Sequence, residues 1–168
     1  VPLIGTVLQI PLGGITVLTK LNPIMVGSHL LLSLVIVALT TLLVVRAGEP
    51  GDEPVTVVVR REVRIGVQVL TALMAAVLVV GMLVTASGPH AGDERTTRLG
   101  LDPRMISWLH ADLVVLCIGL LIGLLAALRA TGAPERTTRA ATHLLVAFSA
   151  QGLIGLAGTL HQEPGSER

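Results

Sequence analysis

Four long apolar stretches, 24–45, 65–86, 105–128 and 140–160, constrain this chain more than any other feature, and a partial one covers 1–18. Each full stretch matches the ~20 residues needed to cross roughly 30 Å of hydrocarbon. Backbone N–H and C=O groups have no water to bond there, so such segments must form helices that satisfy their own polar groups. A soluble core would instead repeat charges every third or fourth residue along each helix. Here charged residues make up only 14% of the chain and gather between the apolar stretches. The expected fold is an all-α integral membrane protein, a polytopic transmembrane helix bundle.

The connectors, "LTKLNP", "RAGEPGDEPVTVVVRREVR", "SGPHAGDERTTRLGLDPR" and "RATGAPERTTR", are rich in Gly, Pro and charge, which marks them as turns and loops. Arg46, Arg60, Arg61 and Arg64 with Arg129, Arg136 and Arg139 lie on one side of the spans. Lys20, Arg95, Arg98 and Arg104 lie on the other. The positive-inside rule therefore puts loops 46–64 and 129–139 in the cytoplasm of a multi-pass protein of the plasma membrane. A net charge of +1 gives no sign of a nucleic-acid partner, and the apolar stretches imply a lipid bilayer as partner. The absence of an initial Met, and an opening that reads as the inside of a helix, suggest a piece of a longer protein.

Two histidines interrupt the apolar runs. His29 in "IMVGSHLLLS" and His110 in "MISWLHADLVVL" are each the sixth residue of their run and enter from the outer face. Imidazole buried in an apolar bundle favours its neutral, metal-binding form, and facing helices are the usual place for a cofactor. Axial ligation of haem iron is thus one reading of both; hydrogen bonding between helices or snorkelling to the interface is the other. Aromatic side chains are nearly absent, one Trp and one Phe with no Tyr, so a flat cofactor would be held between aliphatic groups. Ser33, one turn after His29, shares its face and is expected to line the same pocket.

Other polar residues support quieter readings. Asp112 lies about 200° around the helix from His110, so it is expected to bond to another helix beside the close-packing face of Gly119 and Gly123. Arg95, Arg98 and Arg104 are solvated loop charges or partners for ligand carboxylates. His90 and Asp93 in "SGPHAGD" read as part of a shaped outer loop. His143 and His161 read as interfacial or solvated, and the lone Cys117 as a buried small hydrophobe with no disulfide partner.

An internal repeat runs through these features. "QIPLGGITVL" (9–18) and "QGLIGLAGTL" (151–160) share Gln and a Gly four residues later. The recurring unit is an outward helix, an outer loop, and an inward helix with a histidine near its start.

"QIPLGGITVLTKLNPIMVGSHLLLS", "VTASGPHAGD" and "ISWLHADLVVL" together resemble the haem A synthase family over roughly residues 5–155. The resemblance implies a fragment of an eight-helix protein built as two four-helix bundles, each holding a haem between histidines. Residues 1–45 would end the first bundle, 46–64 would be a cytoplasmic linker, and 65–168 would supply three helices of the second, with the outer loop at 87–104. It further implies oxidation of a methyl group of haem O to the formyl group of haem A for cytochrome oxidase. His29 would serve the catalytic haem O site and His110 would ligate haem b. Haem O is then the substrate, and haem O synthase and cytochrome oxidase are the implied protein partners. Each site keeps one of two family histidines here, which implies that this chain alone is incomplete as an enzyme. A membrane b-type cytochrome, and a non-catalytic scaffold or transporter bundle, are the alternatives.

Overall fold

The chain forms five α-helices: α1 (Pro2–Leu18), α2 (Pro23–Ala47), α3 (Arg61–Ser87), α4 (Pro103–Ala130) and α5 (Glu135–Gln162). A computed structural model describes residues 2–49, 51, 57–88 and 98–162, among which there is no strand. Helices α2 to α5 are long and apolar enough to cross a membrane, and α1 is a shorter apolar helix. The protein is a multi-pass helical membrane protein.

The helices outrun the apolar stretches at their charged ends. α3 begins at Arg61 and α5 at Glu135, several residues before the hydrocarbon-compatible segments. Water at those ends lets charged side chains join the helix. Glu135 and Arg139, one turn apart and exposed, pair at 2.5 Å there, a contact that contributes well under about 1 kcal/mol in water.

The described helices pack as two compact units. Val1–Val55 and Val77–His110 form the first, and Thr56–Ala76 with Ala111–Arg168 the second. In the second unit Cys117, Leu121, Leu124, Leu125 and Leu128 are buried, a spacing that makes one stripe along α4. Opposite lies Gly66 of α3, where a Cβ would come within 2.5 Å of Leu124 Cδ2. In the first unit α1 packs on α2, and a Cβ on Gly5 would meet Ile36 Cγ1 at 2.8 Å. Many large aliphatic residues, Leu3, Ile10, Leu18 and Val44 among them, remain exposed, as a lipid-facing surface requires.

The turn between α1 and α2 is tightly specified. Lys20 N–H donates to Val17 O and Leu21 N–H to Thr16 O, the paired bonds of a Schellman C-terminus. Lys20 and Leu21 take positive φ values of 54° and 57° to do so. The turn after α4 repeats the pattern with Gly132 N–H on Arg129 O and Ala133 N–H on Leu128 O. There the left-handed position is filled by Gly132, at φ 65°.

A side chain in the left-handed region costs roughly 1 kcal/mol or more, and a β-branched one more still. Lys20→Gly is therefore expected to raise the stability of the chain by several tenths of a kcal/mol to about 1 kcal/mol. Lys20→Val should lower it by about 1–2 kcal/mol. Thermal unfolding in detergent followed by circular dichroism checks both signs.

Candidate functional site

Both histidine helices start in the same way. Asn22 precedes Pro23, and Asp102 precedes Pro103. Asn22 Oδ1 accepts from Ile24 N–H at 3.0 Å, and Asp102 Oδ1 from Arg104 N–H at 2.9 Å. Each backbone carbonyl also accepts the first helical bond, from Val26 N–H and Ile106 N–H. An Asx cap with proline at the first helical position satisfies the free donors and presets φ. His29 follows Pro23 by six residues and His110 follows Pro103 by seven, so both rings lie roughly 9–10 Å along their helices.

Each ring rests on a glycine of the preceding helix. A Cβ on Gly13 would lie 3.4 Å from His29 Cε1 and 3.9 Å from its Nδ1. A Cβ on Gly81 would lie 3.0 Å from His110 Cε1 and 3.4 Å from its Nδ1. A Cβ at Gly81 would crowd the His110 ring, whereas one at Gly13 would make ordinary van der Waals contact with the His29 ring. In both rings Nδ1 is buried without a hydrogen-bond partner. Because Nδ1 is sealed off, a ligand reaches either ring at Nε2.

The surroundings of the two rings differ. Beside His29, Gln9 Nε2 donates to Ser33 Oγ at 2.6 Å and to His29 O at 3.2 Å. Ser33 Oγ in turn donates to His29 O at 2.8 Å. Gln9 Oε1 is buried with no partner. His110, by contrast, lines a cavity of about 390 Å³ with apolar walls that include Pro23, Gly27, Leu30, Val77 and Met82. Among its lining residues only Thr85 and His110 have polar side chains, and Thr85 Oγ1 is engaged with Gly81 O at 3.2 Å. Gly27 lets α2 and α3 approach there, since a Cβ would fall 2.1 Å from Met82 Sδ.

The remaining sequence expectations divide. Ser33 does share the face of His29, and its hydroxyl is tied to the histidine's own carbonyl. Gln9 joins them, although nothing in the sequence reading singled it out as a site residue; its spacing four residues before Gly13 was the available signal. Asp112 is exposed, not bonded into a helix interface. Gly119 and Gly123 meet nothing within 4 Å of a built Cβ, so they do not make the expected close contact. The cause is rotational: α4 turns the stripe of Cys117, Leu121 and Leu124 inward and leaves the glycine face outside. Gln151 and Gly155 repeat the spacing of Gln9 and Gly13, but Gln151 is exposed and Gly155 likewise has nothing within 4 Å.

Two hydrogen bonds are made at the C-terminal end of α3. Arg98 donates from its guanidinium to Gly88 O, and Leu99 N–H to Ala86 O at 3.3 Å. A cation at a helix C-terminus is favourable on electrostatic grounds. Cys117 is buried, as expected, and His143 is exposed. His90, Asp93 and Arg95 lie outside the described residues, as does the side chain of His161.

Among the described residues no three His, Cys, Asp or Glu groups come together to hold a metal ion. Single imidazoles on glycine seats suit instead a metal that brings its own equatorial ligands, as haem iron does. The aliphatic cavity beside His110 has the apolar walls that such a group would need. Comparison of the chain with protein-family models, with curated proteins and with solved structures gave no match.

The glycine seats and the bare glycines make opposite predictions. Gly123→Ala meets open space and gains helix propensity, so stability should rise by up to about 1 kcal/mol. Gly81→Ala crowds the His110 ring, so stability should fall by about 1–2 kcal/mol. Thermal unfolding of the two variants side by side in detergent tests the contrast.

Proposed function

We propose that this chain is part of a haem A synthase, with His29 at the haem O site and His110 ligating haem b. The observation that carries the reading is the repeated seat: two inward helices with the same cap, each placing an imidazole on a glycine with Nδ1 sealed. The resemblance of "QIPLGGITVLTKLNPIMVGSH" and "ISWLHADLVVL" to that family supplies the chemistry. Haem iron at the His29 site would support oxidation of a methyl substituent of haem O to a formyl group. The protein would sit in the plasma membrane with loops 46–64 and 129–139 in the cytoplasm, working near haem O synthase and cytochrome oxidase. Its helices would belong to two bundles of a longer protein.

The chain's own residues do the positioning. Gly13 and Gly81 set how far each ring stands from the preceding helix. Gln9 and Ser33 tie α1 to the backbone of α2 at His29. The aliphatic walls around His110 offer apolar surface for a flat hydrophobic group beside the ring. That same apolar cavity is the observation favouring the second reading, a b-type cytochrome that moves electrons without converting substrate.

Membranes from cells supplied with haem O and expressing the chain test the proposal. We expect a reduced-minus-oxidised b-type spectrum that is lost with His110→Ala and kept with His143→Ala. In the longer protein that this reading implies, haem A should appear in the extracted haem and vanish with His29→Ala while the b-type spectrum persists. A b-type spectrum without haem A would favour the cytochrome; no haem in the wild-type chain would contradict both.

A further inference from the structure

The hydrogen bonds beside His29 determine which way the Gln9 amide points. Ser33 has one hydroxyl proton, and it goes to His29 O at 2.8 Å. The atom of Gln9 that lies 2.6 Å from Ser33 Oγ must therefore be a donor, which makes it Nε2. Oε1 is left facing away from Ser33, buried and without a donor. One turn along the same face of α1 stands Gly13, against which the His29 ring rests. That ring also has an orphan, Nδ1. One buried acceptor and one potential buried donor thus occupy the same α1–α2 interface, and buried polar groups rarely go unpaired.

We infer that Gln9 is a positioning residue for His29: its Oε1 takes the Nδ1–H of the imidazole through one bridging water. The bridge fixes the tautomer in which Nε2 keeps its lone pair, the form a metal or a hydrogen-bond donor requires. Among the described residues nothing comparable serves His110. At the same spacings its neighbours are Val77, four residues before Gly81, and Val114, four residues after His110. The two histidine seats, alike in their caps and glycines, are thereby distinguished by Gln9 and Ser33. His29 is held in one tautomer by the protein, and His110 is not. The consequence for a ligand at His29 rests on the proposed function, but the tautomer itself is measurable with no ligand present.

The test is nitrogen NMR of the chain labelled with ¹⁵N-histidine in detergent, above the imidazole pKa, with the His29 signals assigned by their loss in His29→Asn. The wild type should show His29 chiefly as the Nδ1–H tautomer. Gln9→Leu should shift it at least about fivefold towards Nε2–H, the effect of losing one ordinary hydrogen bond. Ser33→Ala, which leaves Oε1 in place, should preserve the wild-type ratio. The His110 signals should not move in any of these variants and report that the fold is intact. An Nε2–H tautomer in the wild type, or no shift in Gln9→Leu, would overturn the assignment. So would a shift in Ser33→Ala as large as that in Gln9→Leu, since packing of α1 on α2 would then be the cause. None of these outcomes depends on haem, so failure here is separable from failure of the proposed function.

Discussion

The approach of each imidazole to a bare backbone is the constraint on which the placement of both histidines depends. At Gly81 a Cβ would stand 3.0 Å from the His110 ring, tighter than side chains ordinarily pack; at Gly13 it would stand 3.4 Å from the His29 ring, in van der Waals contact. Once Gly13 and Gly81 are given, the rings have a defined depth, and their Nδ1 atoms are sealed from solvent. The caps that start α2 and α4 then matter for more than helix stability. Asn22-Pro23 and Asp102-Pro103 set where each helix begins, and the histidine is carried six or seven residues from that origin. A shift of one residue would turn each ring by about 100° and off its glycine.

The same scaffold supports two chemically different environments. At His29 the interface is polar, with an amide, a hydroxyl and a backbone carbonyl joined in one network. At His110 the walls are aliphatic and enclose a cavity of about 390 Å³. Low dielectric strengthens any polar interaction and raises the cost of an unpaired group, so the two rings would respond differently to the same ligand.

Much of the fold was legible because hydrocarbon allows so few solutions. Apolar length alone located α2, α3, α4 and α5, and turn residues located their connectors. The ends were less legible, since Arg61, Glu62, Glu135 and Arg136 are helical where water begins and hydropathy no longer reports structure. His29, His110 and Ser33 stood out as polar residues inside apolar runs. Gln9 did not, because its role depends on which face of α1 meets α2, and an α1 that is apolar on nearly every side does not encode that face. For the same reason the Gly119 and Gly123 pair misled: small residues every fourth position permit close packing but do not require it. The burial of Cys117, Leu121 and Leu125 turned the other side of α4 inward.

A titration of haem into the purified chain in detergent, followed by absorbance, tests the central claim most directly. The account predicts histidine-ligated haem at two sites, with one lost in His29→Ala, one in His110→Ala, and both in the double variant. Unchanged binding in the double variant, or no binding by the wild-type chain, would contradict the claim that these two seated imidazoles are ligand sites.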